Sequence, residues 1–263
     1  MAAGDEDRRF DGNGRFDGKV AFITGGGAGF GRGFADALAA EGAAIAIADI
    51  DLAVGEHAAA EIAAKGHDAF AVQCDVADPD AIDAAVAATI DRFGGIDILI
   101  NNAGKHLTKY NQPFTVLGRD DLRALFDVNV LGVVNCSVAC HETLRDRGNG
   151  VIVNIASMAG HLAITPYSVS KLAVRGLTIA FATEFAPDNI RVNAISPGLM
   201  ATEAALEDLP GDMITDMVEN KQLIHRVGAP SDIVDAMLFL CSSESSFITG
   251  ETLKVTGGYP LFL

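Results

Sequence analysis

The chain has 263 residues, 49% of them apolar, which is enough to bury the core of one α/β domain. Thirty-five acidic against nineteen basic residues give a net charge of −16, a field that repels nucleic acid and anionic membrane surfaces and disfavours an acidic carrier protein as partner. Apolar runs break well short of the roughly 20 residues of a membrane span, and the expected compartment is the cytoplasm. Cys74, Cys136, Cys140 and Cys241 lack any C-x-x-C spacing and read as small buried hydrophobes. The six histidines are scattered, so no metal is expected.

Residues 1–17 carry charge and glycine without apolar periodicity and read as a flexible leader, with 18–263 as a single domain. From Lys19 onward the pattern alternates. KVAFIT precedes a helix predicted over 29–41, AAIAIAD one over 52–65, DAFAVQ one over 79–93, and IDILIN a long one over 120–145. GVIVNIA then precedes a helix over 166–185, IRVNAIS follows, and a helix over 231–240 leads to a last strand at 251–255. Strands apolar throughout and separated by helices predict a Rossmann-type doubly wound parallel sheet of about seven strands. Helices on both faces make it a three-layer α/β/α fold, with the site at the carboxyl ends of the strands. Between Ser196 and His225 the rhythm breaks, with Pro197, Gly198, Pro210, Gly211 and six acidic residues. This stretch, near 197–225, is expected to be an active-site lid or else a plain surface insertion.

The turn Thr24-Gly25-Gly26-Gly27-Ala28-Gly29-Phe30-Gly31 joins the first strand to the first helix, where bare backbone can approach a pyrophosphate. Its spacing is T-G-x-x-x-G-x-G, not G-x-G-x-x-G. Asp49 ends the second strand, where a carboxylate accepts hydrogen bonds from ribose hydroxyls and repels a 2′-phosphate; this favours NAD, while Arg32 keeps NADP open. A helix cap is the other use of Asp49, one that Asp51 could equally take. Asp75 closes the third strand, beside the adenine edge or simply in the turn before Pro79.

Tyr167 and Lys171 stand four residues apart, on one face of a helix, so an ammonium can favour phenolate next to a reacting carbonyl or alcohol. Together with the glycine turn, Asp49, Cys74-Asp75-Val76, Asn101-Asn102-Ala103-Gly104, Asn129, Ser157 and Ser196-Pro197-Gly198, this pair makes the chain resemble the non-extended short-chain dehydrogenase/reductase family from Lys19 to the C-terminus. The resemblance implies that Tyr167 exchanges the substrate proton, Ser157 donates to the carbonyl oxygen, and Lys171 holds the nicotinamide ribose. Asn129 would position a water linking Lys171 to solvent. It further implies NAD held by Gly25, Gly29, Phe30, Gly31, Asp49, Asp75, Val76, Asn102, Ala103, Gly104, Pro197, Gly198 and Thr202, besides Tyr167 and Lys171. For Asn102, sheet support is the alternative.

Ser157 and Tyr167 are ten residues apart, fewer than in many members of that family, so their pairing requires a tight loop. Ser168 and Ser170 flank the tyrosine and are expected to point elsewhere. His106, Leu107, Met158, His161, Leu162, Leu199 and Met200 are the expected pocket wall, with His106 and His161 alternatively facing solvent. Mostly apolar walls and acidic lid residues, among them Glu203, Glu207 and Asp208, suit a neutral cyclic or hydrophobic alcohol and its ketone. The apolar ending GGYPLFL and the resemblance together imply a homo-oligomer, a dimer or tetramer. A carrier-thioester 3-oxoacyl reductase, an epimerase or dehydratase, and a non-catalytic nucleotide sensor are the competing readings.

Overall fold

A computed structural model describes residues 14–202 and 211–261, apart from the side chains of Leu107 and Thr108. Seven parallel strands form one sheet in the order β3-β2-β1-β4-β5-β6-β7. They are β1 (Val20–Thr24), β2 (Ala44–Asp49), β3 (Ala69–Gln73), β4 (Ile98–Asn101), β5 (Val151–Ile155), β6 (Arg191–Pro197) and β7 (Thr252–Val255). The order reverses between β1 and β4, and the crevice this opens at the carboxyl ends is where such sheets take ligands.

One face is covered by α1 (Gly29–Ala40), α2 (Leu52–Ala64) and the C-terminal helix, whose Phe34, Leu38, Ile62, Ile233 and Met237 pack on Ile23, Ile45, Ile47 and Ile195. The other face meets Ile82 and Val86 of α3 (Pro79–Phe93) and Cys136, Cys140 and Leu144 of a later, longer helix, packed on Phe22, Leu99, Ile152 and Val192. Helices on both faces explain why β1 and β5 are buried at every position and show no polar alternation. All four cysteines are free and buried, and burial raises the Cys74 thiol to about 11, so they act as packing residues.

After β4 comes a short helix α4 (Leu107–Tyr110), then α5 (Arg119–Arg147), which contains a π turn at Asp127–Leu131. Beyond β5, a 3₁₀ turn (Met158–His161) leads into α6 (Pro166–Glu184). Beyond β6, α7 (Gly211–Asp216) runs into a second π turn, Met217–Lys221, before α8 (Pro230–Cys241). Local sequence sets the starts. Asp51 caps α2 by accepting from Ala53 and Val54 N–H, Asp78 caps α3 ahead of Pro79, and Thr165 and Ser168 form a capping box ahead of Pro166.

The folded body begins earlier than the sequence suggests: Phe16 is 2% exposed within the core, and Arg15 pairs with Glu41 at 2.9 Å. The expected leader is therefore anchored from Gly14 on, and residues 1–13 lie outside the described residues. Glu203, Glu207, Asp208 and Pro210 of the expected lid also lie outside them. The far end of the segment expected to be a lid is fastened, because Leu223 and Ile224 N–H both donate to the Gly257 carbonyl, at 2.8 and 2.9 Å.

Candidate active site

The glycine turn is shaped by contacts that leave no room for side chains. Gly25 has φ +60°, and a Cβ on Gly31 would lie 2.0 Å from the Gly25 carbonyl oxygen. Thr24 Oγ1 accepts from the N–H groups of Asn102 and Ala103, both at 3.0 Å, while Asn102 Nδ2 donates to the carbonyls of Thr24 and Gly25, also at 3.0 Å. Asn102 thus braces the glycine turn, through its own N–H and its side-chain amide. The first intrahelical bond of α1 is Arg32 N–H to Ala28 O, so the N–H groups of Gly29, Phe30 and Gly31 are the uncompensated donors of a helix start. The helix has no side-chain cap and no acidic residue in its first turn. Phe30 stacks on Phe34 at 6.2 Å.

Asp49 accepts from Gly27 N–H at 3.0 Å and Asp51 N–H at 3.1 Å, which leaves carboxylate lone pairs free at the rim of the turn. It is not a cap, because Asp51 takes that role. Arg32, the residue that kept NADP open, is bound by Asp36 and Glu61, both at 2.8 Å. Asp75 accepts from Ala77 N–H at 2.9 Å in a turn, and Val76 packs where Gly132 permits close approach. Bare glycines, an open helix N-terminus and a carboxylate at the second strand's end fit the diphosphate and ribose of a dinucleotide.

The chemistry-bearing residues converge at the ends of β4 and β5. Tyr167, 6% exposed, has Ser157 as a neighbour that works to lower its pKa, and the Ser157 hydroxyl accepts from Ala159 N–H at 3.2 Å. The short loop is realised as the 3₁₀ turn. A Cβ on Gly160 would lie 2.7 Å from the Lys171 backbone, and Ala163 has φ +53°. Burial raises the Tyr167 phenol to about 12, with Ser157 acting in the opposite direction, and lowers the Lys171 ammonium to about 8. Lys171 Nζ donates to the Ile155 carbonyl at 2.7 Å. Asn129, 1% exposed in the π turn, accepts from Lys105 N–H at 2.7 Å, and its Nδ2 donates to Lys105 O at 3.3 Å and Ser170 Oγ at 3.2 Å. Gly104 lies between Asn129 and Lys171: a Cβ there would stand 3.3 Å from Asn129 Oδ1 and 3.5 Å from Lys171 Nζ.

Expected wall residues are less uniformly placed. Met158 opens the 3₁₀ turn, and His106 sits exposed at the start of α4. His161 turns to β6, with Nε2 3.1 Å from Ser196 Oγ. Burial, with Arg175 and Lys254 nearby, lowers its pKa to about 4, so it is a neutral, half-buried hydrogen-bonding residue and not a solvent-facing one. Pro197 ends β6, Gly198 is pressed against Thr256, and Thr202 N–H donates to Met200 O at 2.9 Å. Leu199 and Met200 are buried and line a hollow of about 440 Å³ with Gln222, Ile224, Thr256 and Leu261. A hollow of the same volume lies at the opposite end of the sheet, among Lys19, His67 and Phe93, far from this chemistry.

Sequence reasoning missed two participants. Ser170 was expected to point away, yet it bonds Asn129. Tyr110 packs in one buried cluster with Tyr167 and Leu125. The i, i+3 spacing of Tyr167 and Ser170 was the available signal for the first.

The family model described as "Enoyl-(Acyl carrier protein) reductase" matches residues 25–260. The chain is 37% identical over 252 residues to 7alpha-hydroxysteroid dehydrogenase of Escherichia coli (strain K12), covering 93% of this chain and 95% of that protein. The chain belongs to the short-chain dehydrogenase/reductase family. L-2,3-butanediol dehydrogenase of Corynebacterium glutamicum, another relative, is 37% identical over 257 residues, covering 91% of this chain and 98% of the relative. A solved 7alpha-hydroxysteroid dehydrogenase complexed with NADH and 7-oxo glycochenodeoxycholic acid superposes with a TM-score of 0.88 at 34% identity, covering 95% and 98% of the two chains. This short-chain dehydrogenase/reductase is accordingly an oxidoreductase by descent.

Proposed function

We propose that the protein is an NAD(H)-dependent oxidoreductase interconverting a secondary alcohol and its ketone on a neutral hydrophobic or cyclic substrate. The observation that carries this is the buried Tyr167, beside the buried Ser157 and one helical turn before the buried Lys171. When bound, the nicotinamide supplies or accepts the hydride. Tyr167 holds the proton that leaves or joins the substrate oxygen, and Ser157 donates a hydrogen bond to that oxygen. Bringing a phenol from about 12 to near neutrality takes ~7 kcal/mol at 1.36 kcal/mol per pH unit. An ammonium ~5 Å away is worth ~3 kcal/mol at an effective dielectric of ~20, so Lys171 supplies part of this, and the positive charge of an oxidised nicotinamide would act in the same direction. Lys171 also holds the cofactor ribose.

Gly25, Gly29, Phe30 and Gly31 cradle the diphosphate, Asp49 binds the adenosine ribose, and the capture of Arg32 by Asp36 and Glu61 favours NAD over NADP. Asp75 and Val76 meet the adenine, Ala103 and Gly104 the adjoining ribose, and Pro197, Gly198 and Thr202 the nicotinamide. His106, Met158 and Leu199 border the substrate. The NADH-bound steroid dehydrogenase relative supports both the cofactor and a cyclic substrate. The family description raises an acyl-carrier substrate as a second reading; the charge of −16 weighs against an acidic carrier.

We assign the enzyme to the cytoplasm, as a homo-oligomer folded as one domain. Residues Arg119–Arg147 form a helix apolar and long enough to cross a membrane, but one of its faces packs on the sheet. Its outer face exposes Leu131 and Val138, α6 exposes Leu172 and Ile179 at the same seven-residue spacing, and a second copy would cover both. The test is nicotinamide absorbance with a panel of steroid, terpenoid and aliphatic secondary alcohols, with Tyr167→Phe as the blank. NAD⁺ reduction lost in the variant supports the reading. Silence across the panel despite NADH binding would refute it in favour of an untested substrate class, such as an acyl-carrier thioester, or of a sensor.

A further inference from the structure

Ser170 is completely buried and makes two hydrogen bonds of opposite sense. Its hydroxyl donates to the Tyr167 carbonyl at 2.7 Å, and its oxygen accepts from Asn129 Nδ2 at 3.2 Å. A serine hydroxyl has one proton to give, so with that proton committed to Tyr167 only lone pairs face Asn129. Those lone pairs can receive only the NH₂ end of the carboxamide. The Lys105 N–H, 2.7 Å from Oδ1, demands the same orientation from the other side. The amide is therefore clamped between α6 and the loop after β4, with its oxygen on the side of Gly104 and Lys171. External clamping matters at this place because Asn129 lies in the π turn, where the regular helical ladder is interrupted.

We propose that Ser170 is a positioning residue that fixes the Asn129 carboxamide and ties the π turn of α5 to the turn of α6 bearing Tyr167 and Lys171. The proposal rests on the oxidoreductase reading for its catalytic consequence, though the clamp itself is independent of it. Removing the oxygen leaves a buried amide hydrogen without an acceptor and leaves the carboxamide held by the Lys105 backbone alone, untied from α6. The effect should fall on the chemical step and not on binding.

The test compares Ser170→Thr with Ser170→Val in the full chain, since the two side chains share a shape and differ in the oxygen. Ser170→Val is expected to lower kcat ~10-fold or more relative to Ser170→Thr, with KM and the NADH Kd within about 2-fold, and to move the pH profile of kcat. Equal kcat values and superimposable profiles for the two variants would overturn the proposal. A second arm needs no turnover: denaturant midpoints of the cofactor-free protein for Ser170→Ala, Asn129→Ala and the double variant. Non-additive shifts are expected, because either substitution breaks the same bond. Simple additivity would overturn the clamp even if no substrate is turned over, whereas a wild-type chain without activity but with non-additive shifts would count against the oxidoreductase reading alone.

Discussion

If the proposed preference for NAD over NADP rests on Asp49, replacing that residue with serine is expected to shrink it by about 10²–10³-fold. The carboxylate lies at the end of β2, held by Gly27 and Asp51 N–H, with its remaining lone pairs at the rim of the glycine turn. A 2′-phosphate placed there meets a like charge: two unit charges ~4 Å apart cost about 4 kcal/mol at an effective dielectric of ~20 and about 1 kcal/mol in water. A half-exposed site falls between, at ~2 kcal/mol. On the NAD side, a charge-assisted hydrogen bond from ribose is worth ~1.5–3 kcal/mol, part of which serine retains. The sum, ~3–4 kcal/mol, gives the stated range at 1.4 kcal/mol per decade. The chain has no tryptophan, so NADH and NADPH can be titrated by their own fluorescence without a protein background near it. Adding Asp36→Asn and Glu61→Gln, which release Arg32, should improve NADPH binding further. A wild-type protein that binds both cofactors equally, or an Asp49→Ser variant with an unchanged ratio, would refute this account.

Further outcomes follow from other contacts. The Lys171 ammonium, lowered to about 8 from 10.5 by burial, means that the unfolded chain binds more protons between those values, so stability should rise with pH across that window; Lys171→Met should lose the rise in thermal melts. Tyr167, raised to about 12 from 10, has the opposite sign, so stability falls over that higher window, and Tyr167→Phe removes the fall along with one tyrosinate transition in the ultraviolet. Gly257→Ala places a Cβ 2.8 Å from Gln222 Nε2 on a residue at φ +63°, where the segment expected to be a lid is fastened. It should lower the melting temperature and slow turnover more than it weakens NADH binding. If the proposed homo-oligomer packs through these faces, Val138→Glu with Ile179→Glu should lower the mass seen in sedimentation; an unchanged mass would remove these helix faces from the interface.

The sequence by itself determined the sheet and its partners in the layers. Strands such as VAFIT and VIVNI are apolar at every position because both faces are covered, and Asp51, Asp78 and Thr165 mark helix starts through bonds made within three residues. Such signals are local, so one dimension suffices to read them. The glycine turn and the Tyr167–Lys171 spacing were legible for the same reason. What only the tertiary structure decided depends on groups far apart in the chain. Arg32 is neutralised by Glu61 from a different helix, and His161 turns to Ser196 on another strand. Ser170 faces Asn129, 41 positions away: its spacing from Tyr167 put it on the right helix face but did not name that partner. Phe16 joined the core because α1 and Glu41 offered it a place, which charge and glycine content around it could not reveal. A hydrogen-bond acceptor is chosen by geometry after the layers have packed, and that choice is not written in the spacing of residues along one element.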